Sequence, residues 1–382
     1  MEPWLIVALV IALALFFDFT NGFHDTANAM ATPIATGALS PRVAVALAAV
    51  LNLVGAFLST EVAKTISGGL IREGEGGVQI TPALVLAGLI GAIVWNLVTW
   101  LFGLPSSSSH ALFGGLIGAT AVGAGIGAID GDVFLAKILI PAVLAPLTAG
   151  LISFLATRIA FGITKKRQRD GFKRGQVFTS SLVSLAHGTN DAQKTMGVIT
   201  LTLIAAGFQE PGSGPEFWVI AACAVAIALG TYSGGWRIIK TLGRDITDVE
   251  PAQGFAAESA TTATILASSH LGFALSTTQV ASGSVIGTGI GRKGASVRWR
   301  TAGRIGIGWL ITLPASGLVA AGAALLAATG PVGVIADVVL AAAAILTIFL
   351  VSRRTRVDHR HFHQPEPGQF VAPKRRKKER VR

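Results

Sequence analysis

NGFHDTANAMAT, residues 21–32, places a histidine, an aspartate and two asparagines at the edge of an apolar stretch that begins at Leu5. A second segment, HGTNDAQKTMGV at 187–198, aligns with it at an offset of 166 residues. The matched positions are Gly22 with Gly188, Asp25 with Asp191 and Met30 with Met196. The recurrence of one polar segment in two apolar surroundings indicates that the chain is duplicated.

A second pair of segments supports the duplication. PSSSSHALFGGLIG at 105–118 aligns with ALSTTQVASGSVIG at 274–287, at an offset of 169 residues. The matched positions are Ser107 with Ser276, Gly114 with Gly283, Ile117 with Ile286 and Gly118 with Gly287. A weaker pair, 64–66 with 240–242, lies in the same order. Three paired signals in one order predict two related halves.

The composition is that of a membrane protein. Of 382 residues, 51% are hydrophobic and only 13% are charged, whereas soluble domains carry roughly 25% charged residues. Apolar stretches long enough to cross a bilayer, about 20 residues each, recur from end to end. The ten predicted segments are 5–39, 41–63, 82–102, 104–128, 133–160, 176–207, 216–236, 254–290, 305–328 and 331–351. We therefore predict an all-α polytopic membrane protein.

The distribution of Lys and Arg predicts the orientation, because cytoplasmic loops are enriched in these residues. The loops predicted to be cytoplasmic are 165–174, 237–244 and 292–304. The loops predicted to face outside lack Lys and Arg and are 129–132 and 209–216. The N-terminus is then outside, the run 5–39 goes inward, and the run 176–207 goes outward. Two copies in opposite orientations are an inverted-repeat architecture, which transporters use to form a site near the bilayer midplane.

The net charge of +11 lies mostly at the C-terminal end, where residues 353–382 carry +8. A basic tail after a membrane span marks a cytoplasmic end, and we favour this interpretation over nucleic-acid binding. The predicted regions are an N-terminal membrane repeat at 1–160, a basic cytoplasmic linker at 161–175, an inverted C-terminal membrane repeat at 176–352 and a disordered cytoplasmic tail at 353–382.

Buried carboxylates are the first functional candidates, because an acid inside a membrane is costly and is functional by default. We assign Asp25 and Asp191 to a coupling cation or proton; a structural ion pair is the alternative interpretation. Further candidates for coupling are Asn21, His24, Asn190 and Glu258.

The first apolar run is too long for a simple span. One straight helix over 5–39 would measure about 52 Å, against a hydrocarbon core of roughly 30 Å. Asn and Gly disfavour helix interiors, so a break is predicted around residues 20–22. The freed carbonyls, with Asp25 and Asn28, would then ligate a cation.

The segments PSSSSH and LSTTQ are typical of helix N-termini. Each start would present unpaired backbone N–H groups together with several hydroxyl donors, an arrangement that binds phosphate or sulfate. Two such starts that converge from opposite sides would surround a tetrahedral oxyanion. The alternative is that the serines only cap helices.

These motifs resemble those of the inorganic phosphate transporter (PiT) family. NGFHDTANAMAT and AHGTNDAQKTMGVI are similar to its two signature segments, and GLPSSSSHA and ALSTTQVASG to its paired oxyanion-binding hairpins. The resemblance covers nearly the whole chain before the basic tail. It implies inverted repeats with broken helices and re-entrant hairpins, homodimers, a location in the plasma membrane, and import of phosphate with a coupling cation.

The resemblance also implies roles for single residues. Phosphate would be contacted by Ser107, Ser108, Ser109, Ser276, Thr277 and Thr278. Asp25, Asn28 and Asp191 would serve the cation or line the site, and we place Asn28 and Lys194 with the substrate-binding residues.

One departure from the family pattern concerns the coupling ion. Sodium-coupled members show Asn-Asp-x-x-Asn in both repeats, whereas here His24 precedes Asp25 and Lys194 stands at the position of Asn28. This pattern resembles the bacterial low-affinity, proton-coupled branch. A lysine ammonium beside Asp191 would substitute for a bound sodium ion, so we favour protons; a simple ion pair between the two residues is the alternative.

Other functions stay open. The same donors fit sulfate, the coupling ion could be sodium, and phosphate could travel as a metal complex. An anion channel or a membrane sensor belongs to another class. An enzyme based on Ser109 and His110 is disfavoured, because adjacent residues do not easily reach nucleophile–base geometry. We predict no catalytic residue, no metal centre, no cofactor besides the coupling cation and no nucleic-acid partner.

Overall fold

The computed structural model describes residues 2–69, 80–163, 169–273, 275–355 and 357–358. Helices dominate these residues. They are α1 (Pro3–Thr36), α2 (Pro41–Gly55), α3 (Glu61–Gly69), α4 (Pro82–Leu101), α5 (Ser108–Gly123), α6 (Gly131–Val133), α7 (Ile140–Ile163), α8 (Arg169–Ala205), α9 (Phe217–Ser233), α10 (Trp236–Lys240), α11 (Pro251–His270), α12 (Thr277–Gly291), α13 (Trp299–Ala327) and α14 (Pro331–Arg354). Two π-helical segments, Phe134–Leu139 and Thr241–Asp245, adjoin α7 and α10.

Several helices are suited to cross a membrane. Among the described residues, five helical segments are long and apolar enough to cross a membrane: Trp4–Thr36, Pro82–Leu101, Gly131–Gly162, Trp299–Ala327 and Pro331–Arg354. A sixth span is formed if α9 and the following segment Trp236–Asp245, bent by 59°, are counted together. The ten apolar segments do not each correspond to one spanning helix, because α2, α5 and α12 have only 15, 16 and 15 residues. In addition, the apolar run 254–290 is divided between α11 and α12.

The helix packing repeats itself between the two halves. α1 packs on α9 while α8, its counterpart, packs on α2. The hairpin of α4 and α5 packs on α13, and the hairpin of α11 and α12 packs on α7. Helices of each half therefore pack against helices of the other half, so that the two repeats interleave. The predicted division at 161–175 is not tested by this packing; residues 164–168 of that linker and 359–382 of the tail lie outside the described residues.

Glycines that match between the repeats lie where the interleaved helices touch. A Cβ on Gly22 would lie 2.3 Å from the carbonyl oxygen of Ile227, and one on Gly188 would lie 2.2 Å from that of Asn52. A Cβ on Gly118 would lie 2.1 Å from the Gly317 oxygen. The sequence identities thus mark positions where the backbones approach too closely for any side chain.

The predicted break around residues 20–22 was wrong, because α1 is one continuous helix of 34 residues, about 51 Å long. Gly22 serves close packing against α9 rather than unwinding. The hydroxyl groups of Thr20 and Thr26 donate to the carbonyls of Phe17 and Gly22, at 2.8 and 2.7 Å, within the helix. The α1 backbone is therefore not free to ligate a cation there, and a helix of this length fits a bilayer by tilting or by extending beyond it.

We expect Gly22→Ala to lower the stability of the protein by about 1–3 kcal/mol, because overpacking forces the helices apart. Gly322→Ala is the matched control, since a Cβ there meets nothing within 4 Å. Thermal unfolding of both purified variants in detergent measures the difference. Equal unfolding temperatures would show that α1 and α9 tolerate the added methyl group.

Candidate functional site

The two repeated aspartates meet in the interior of the bundle. Asp25 lies on α1 and Asp191 on α8, and both are buried. His187 connects them, with Nε2 2.8 Å from Asp191 Oδ2 and 3.8 Å from Asp25 Oδ2. One ligand atom from each of these three residues fits within 4.8 Å of the others. The arrangement has the composition of a site for a small cation or for protons.

The starts of α5 and α12 converge on the same carboxylates. Ser108 Oγ donates to Asp25 Oδ2 at 2.9 Å, and Thr278 Oγ1 donates to Asp25 Oδ1 at 3.1 Å. Thr277 Oγ1 donates to Asp191 Oδ2 at 3.0 Å. Asn28 Nδ2 in turn donates to Thr277 and Thr278, at 3.3 and 3.1 Å. Hydroxyl donors from both halves therefore surround one buried position.

The predicted helix N-termini are confirmed at equivalent residues. Ser107 is the N-cap of α5 and accepts from the His110 N–H at 3.0 Å. Ser276 is the N-cap of α12 and accepts from the Gln279 N–H at 3.2 Å. Both hydroxyl oxygens therefore act in capping. Ser109 Oγ donates to the Leu275 carbonyl at 3.2 Å, so this hydroxyl ties the two helix starts together.

A lysine and a histidine complete the charged cluster. Lys194 is fully buried, and its ammonium is paired with Asp191. His24 Nδ1 lies 2.6 Å from Asp25 Oδ1. Each aspartate is thus held by its own basic side chain, and His187 lies between them. The formal charges partly compensate, as a buried ionic cluster requires.

Three predicted residues lie apart from this cluster. Asn190 Nδ2 donates to Ser269 Oγ at 2.9 Å, and no described partner satisfies either amide atom of Asn21. Glu258 accepts from Thr32 at 2.6 Å and also from Thr179. Thr32 is two helical turns beyond Asp25 on α1, about 10 Å along the axis. Glu258 therefore forms a separate buried acidic position on the C-terminal side of Asp25.

Sequence reasoning missed His187, although the alignment contained a signal for it. At the offset of 166 residues, His187 aligns with Asn21 and His24 aligns with Asn190. The two repeats thus exchange a histidine and an asparagine between two positions, and each contributes one histidine to the aspartates. In the second pair of repeated segments, His110 aligns with Gln279 at the offset of 169 residues. These two side chains also contact each other, with Gln279 Nε2 3.3 Å from His110 Nδ1.

The fold and the site together define a class. A multi-span helical bundle made of two interleaved repeats encloses paired carboxylates, basic groups and two hydroxyl-bearing helix starts. Interleaved repeats of this kind are typical of membrane transporters, in which the substrate site lies where the repeats meet. The hydroxyls and helix starts suit an oxyanion, and the carboxylates suit the ion that would accompany it.

Comparisons with known proteins identify the family. A model described as the phosphate transporter family matches residues 21–170 and again residues 161–320. The chain belongs to this family, and the two matches confirm the predicted duplication. The protein is a multi-span membrane transporter of helical fold and not an enzyme.

Individual relatives are similar over most of their length. A probable low-affinity inorganic phosphate transporter of Mycobacterium tuberculosis (strain ATCC 25618 / H37Rv) is 53% identical over 374 residues, covering 96% of this chain and 89% of the relative. One of Bacillus subtilis (strain 168) is 43% identical over 316 residues, 82% of this chain and 94% of the relative. A solved structure described as the sodium-dependent phosphate transporter has a TM-score of 0.74 and 26% identity, and the match covers 83% of this chain and 97% of that one.

Proposed function

We propose that this phosphate transporter is a secondary active importer that carries inorganic phosphate together with protons. The observation that carries the proposal is the pairing of hydroxyl donors with carboxylates: Ser108 and Thr278 donate to Asp25, and Thr277 donates to Asp191. The same donors, at two converging helix starts, are those that an oxyanion would need. Carboxylates and phosphate therefore compete for one set of hydrogen bonds.

This competition supplies a mechanism for coupling. A phosphate anion about 4 Å from one ionised carboxylate is repelled by about 4 kcal/mol at an effective dielectric constant near 20. That energy corresponds to about a thousandfold loss of affinity. A proton on Asp25 or Asp191 removes the repulsion and releases the hydroxyl groups for phosphate. Phosphate then binds well only after the proton, so the two are carried together.

The geometry supports an assignment of the substrate residues. Ser108, Thr277 and Thr278 would turn from the carboxylates to phosphate, supported by Asn28 and by the helix starts that Ser107 and Ser276 cap. Ser109 would keep the two starts together through its bond to Leu275. Sulfate is the second candidate anion. Phosphate is favoured because its protonated form can donate to Asp25 or Asp191, whereas sulfate has no proton to donate.

The choice of protons rests on Lys194. Its ammonium pairs with Asp191 and stands where sodium-coupled members have an asparagine, so a fixed positive charge fills the place of a mobile ion. His24 and His187 offer imidazoles beside both aspartates. Asn21, Asn190 and Glu258 are assigned to the coupling path at greater distance. Sodium is the second candidate, because the similar solved structure is described as sodium-dependent.

The orientation of the protein in the membrane is proposed from the distribution of Lys and Arg, and its affinity for phosphate from the relatives. The basic loops and tail favour a C-terminal end in the cytoplasm and an N-terminus outside a plasma membrane. Relatives named as probable low-affinity transporters support a low affinity for phosphate. A homodimer, and transport of phosphate as a metal complex, are further parts of the proposal.

Uptake of radiolabelled phosphate into proteoliposomes tests the function. We expect an inward proton gradient to drive accumulation above the external concentration without sodium, and a tenfold excess of sulfate to leave uptake within about twofold. Protein-free liposomes are the control, and uptake with and without magnesium tests the metal complex.

Each contrary outcome overturns a separate part of the proposal. A requirement for a sodium gradient would refute proton coupling, and full competition by sulfate would refute the choice of substrate. Equilibration without accumulation would indicate a channel.

A further inference from the structure

A second buried acid lies on the same face of α1 as the proposed site. Asp18 precedes Asp25 by seven residues, which is two helical turns or about 10 Å. Polar residues continue along this face at spacings of three and four: Asp18, Asn21, Asp25, Asn28 and Thr32. The line begins at Asp18, passes through the charged cluster and ends at Thr32, which donates to Glu258.

Asp18 is fully buried, and neither of its carboxyl oxygens has a hydrogen-bond partner among the described residues. The Thr195 hydroxyl on α8 approaches Asp18 closely enough to interact with its carboxyl group, but the two do not meet the geometry of a hydrogen bond. Both amide atoms of Asn21, one turn further along α1, are also unsatisfied. Such a concentration of unpaired buried polar atoms is unusual in proteins and requires an explanation.

The titratable side chains around Asp18 lie on two helices, α8 and α9. On α8 they are Lys194, His187 and Asp191, and on α9 the titratable group is Cys223. α4, which also packs on α1, carries no ionisable side chain. Lys194 is already paired with Asp191. His187 is likewise paired with Asp191, so among the described residues no cation is left to hold Asp18 as a permanent ion pair.

We propose that Asp18 is a second proton-binding site, which takes up a proton that is carried together with phosphate. An ionised carboxylate without a donor is very costly in such surroundings, whereas a neutral carboxylic acid is tolerated. The carboxylate gains a proton on one side of the membrane and loses it on the side where phosphate leaves. A metal ion fits less well, because the Lys194 ammonium is close and Asp18 is the only acid on its turn of α1.

The proposal for Asp18 rests on proton-coupled phosphate transport, so the test must distinguish a failure of the Asp18 assignment from a failure of proton coupling itself. Two quantities are measured in proteoliposomes: accumulation of phosphate driven by an inward proton gradient, and exchange of internal for external phosphate at equal pH. Exchange needs no net movement of protons. Wild-type protein that shows exchange without proton-driven accumulation would refute the proposed coupling, and only an active wild type is compared with the variants.

We expect Asp18→Asn to lower proton-driven accumulation at least tenfold while exchange stays within about twofold of wild type. Asp18→Glu, which keeps a carboxyl group, should retain both activities. Asp337→Asn on α14 is the matched control, because Asp337 is also buried, and we expect it to leave both activities unchanged. The ratio of protons to phosphate, followed with an internal pH dye, should fall in Asp18→Asn.

Three outcomes would overturn the proposal. Full accumulation by Asp18→Asn, with an unchanged proton ratio, would show that the carboxyl group carries no proton. Equal loss of accumulation and exchange in a folded variant would place Asp18 in the phosphate site. If Asp18→Asn does not fold, Asp18→Ser replaces it, and misfolding of both would assign the carboxyl group a purely structural role.

Discussion

Replacing Lys194 with methionine is expected to lower proton-driven phosphate uptake at least a hundredfold. Lys194 is fully buried and paired with Asp191. Removal of one partner of such a pair leaves an uncompensated charge, which costs about 3–5 kcal/mol. Asp191 would relieve this cost by holding a proton or recruiting another cation. In either case it would no longer hold Thr277 in the arrangement on which coupling depends.

The double variant Lys194→Met with Asp191→Asn separates folding from transport. It removes both charges, so we expect its unfolding temperature to recover while uptake stays low. Uptake that recovers together with stability would show that the ion pair is only structural. Uptake by Lys194→Met near the wild-type value would contradict the assignment of a fixed cation at this position.

Asp25→Asn is expected to abolish both accumulation and phosphate exchange, with a loss of at least a hundredfold. Asp25 accepts hydrogen bonds from Ser108 and Thr278 and lies beside His24. An amide at this position cannot bind a proton and holds the hydroxyl groups less tightly than a charged acceptor does. Exchange fails as well as accumulation because a permanently neutral amide cannot restore the charge repulsion that, in the proposed mechanism, releases phosphate from the site.

The loss of exchange distinguishes this variant from Asp18→Asn, in which exchange should persist. Both proteins are compared in the same vesicles at equal amounts of folded protein. Ser108→Ala is an informative control, because it removes one donor and leaves the carboxylate in place; a smaller loss, about tenfold, is expected. Asp25→Asn with normal exchange would remove Asp25 from the substrate site.

Local features of the sequence predicted much of the fold. Ser107 and Ser276 were identifiable as helix starts because an N-cap depends on a few neighbouring residues. Membrane character follows from long apolar runs, which are also local. The duplication was readable because close backbone contact admits only glycine at positions such as Gly22, Gly118 and their counterparts.

Long-range contacts decided what the sequence could not. Thr278 and Asp25 are separated by 253 positions, and no local pattern shows that their side chains meet. His187 and Asn190 occupy one segment, yet only His187 reaches the aspartates. The packing of α5 on α13 and of α12 on α7 could not be predicted from the sequence either, because each contact joins helices of different repeats.

The continuous helix α1 illustrates the physical difference. Local propensity disfavours glycine inside a helix by about 1 kcal/mol, which led to the predicted break. In the folded protein the contact of Gly22 with α9 and the hydroxyl bonds of Thr20 and Thr26 outweigh that preference. The sequence by itself determined the membrane class, the two repeats and the polar residues they contain. The tertiary structure decided which of those residues share one buried site, because that depends on packing between helices far apart in the chain.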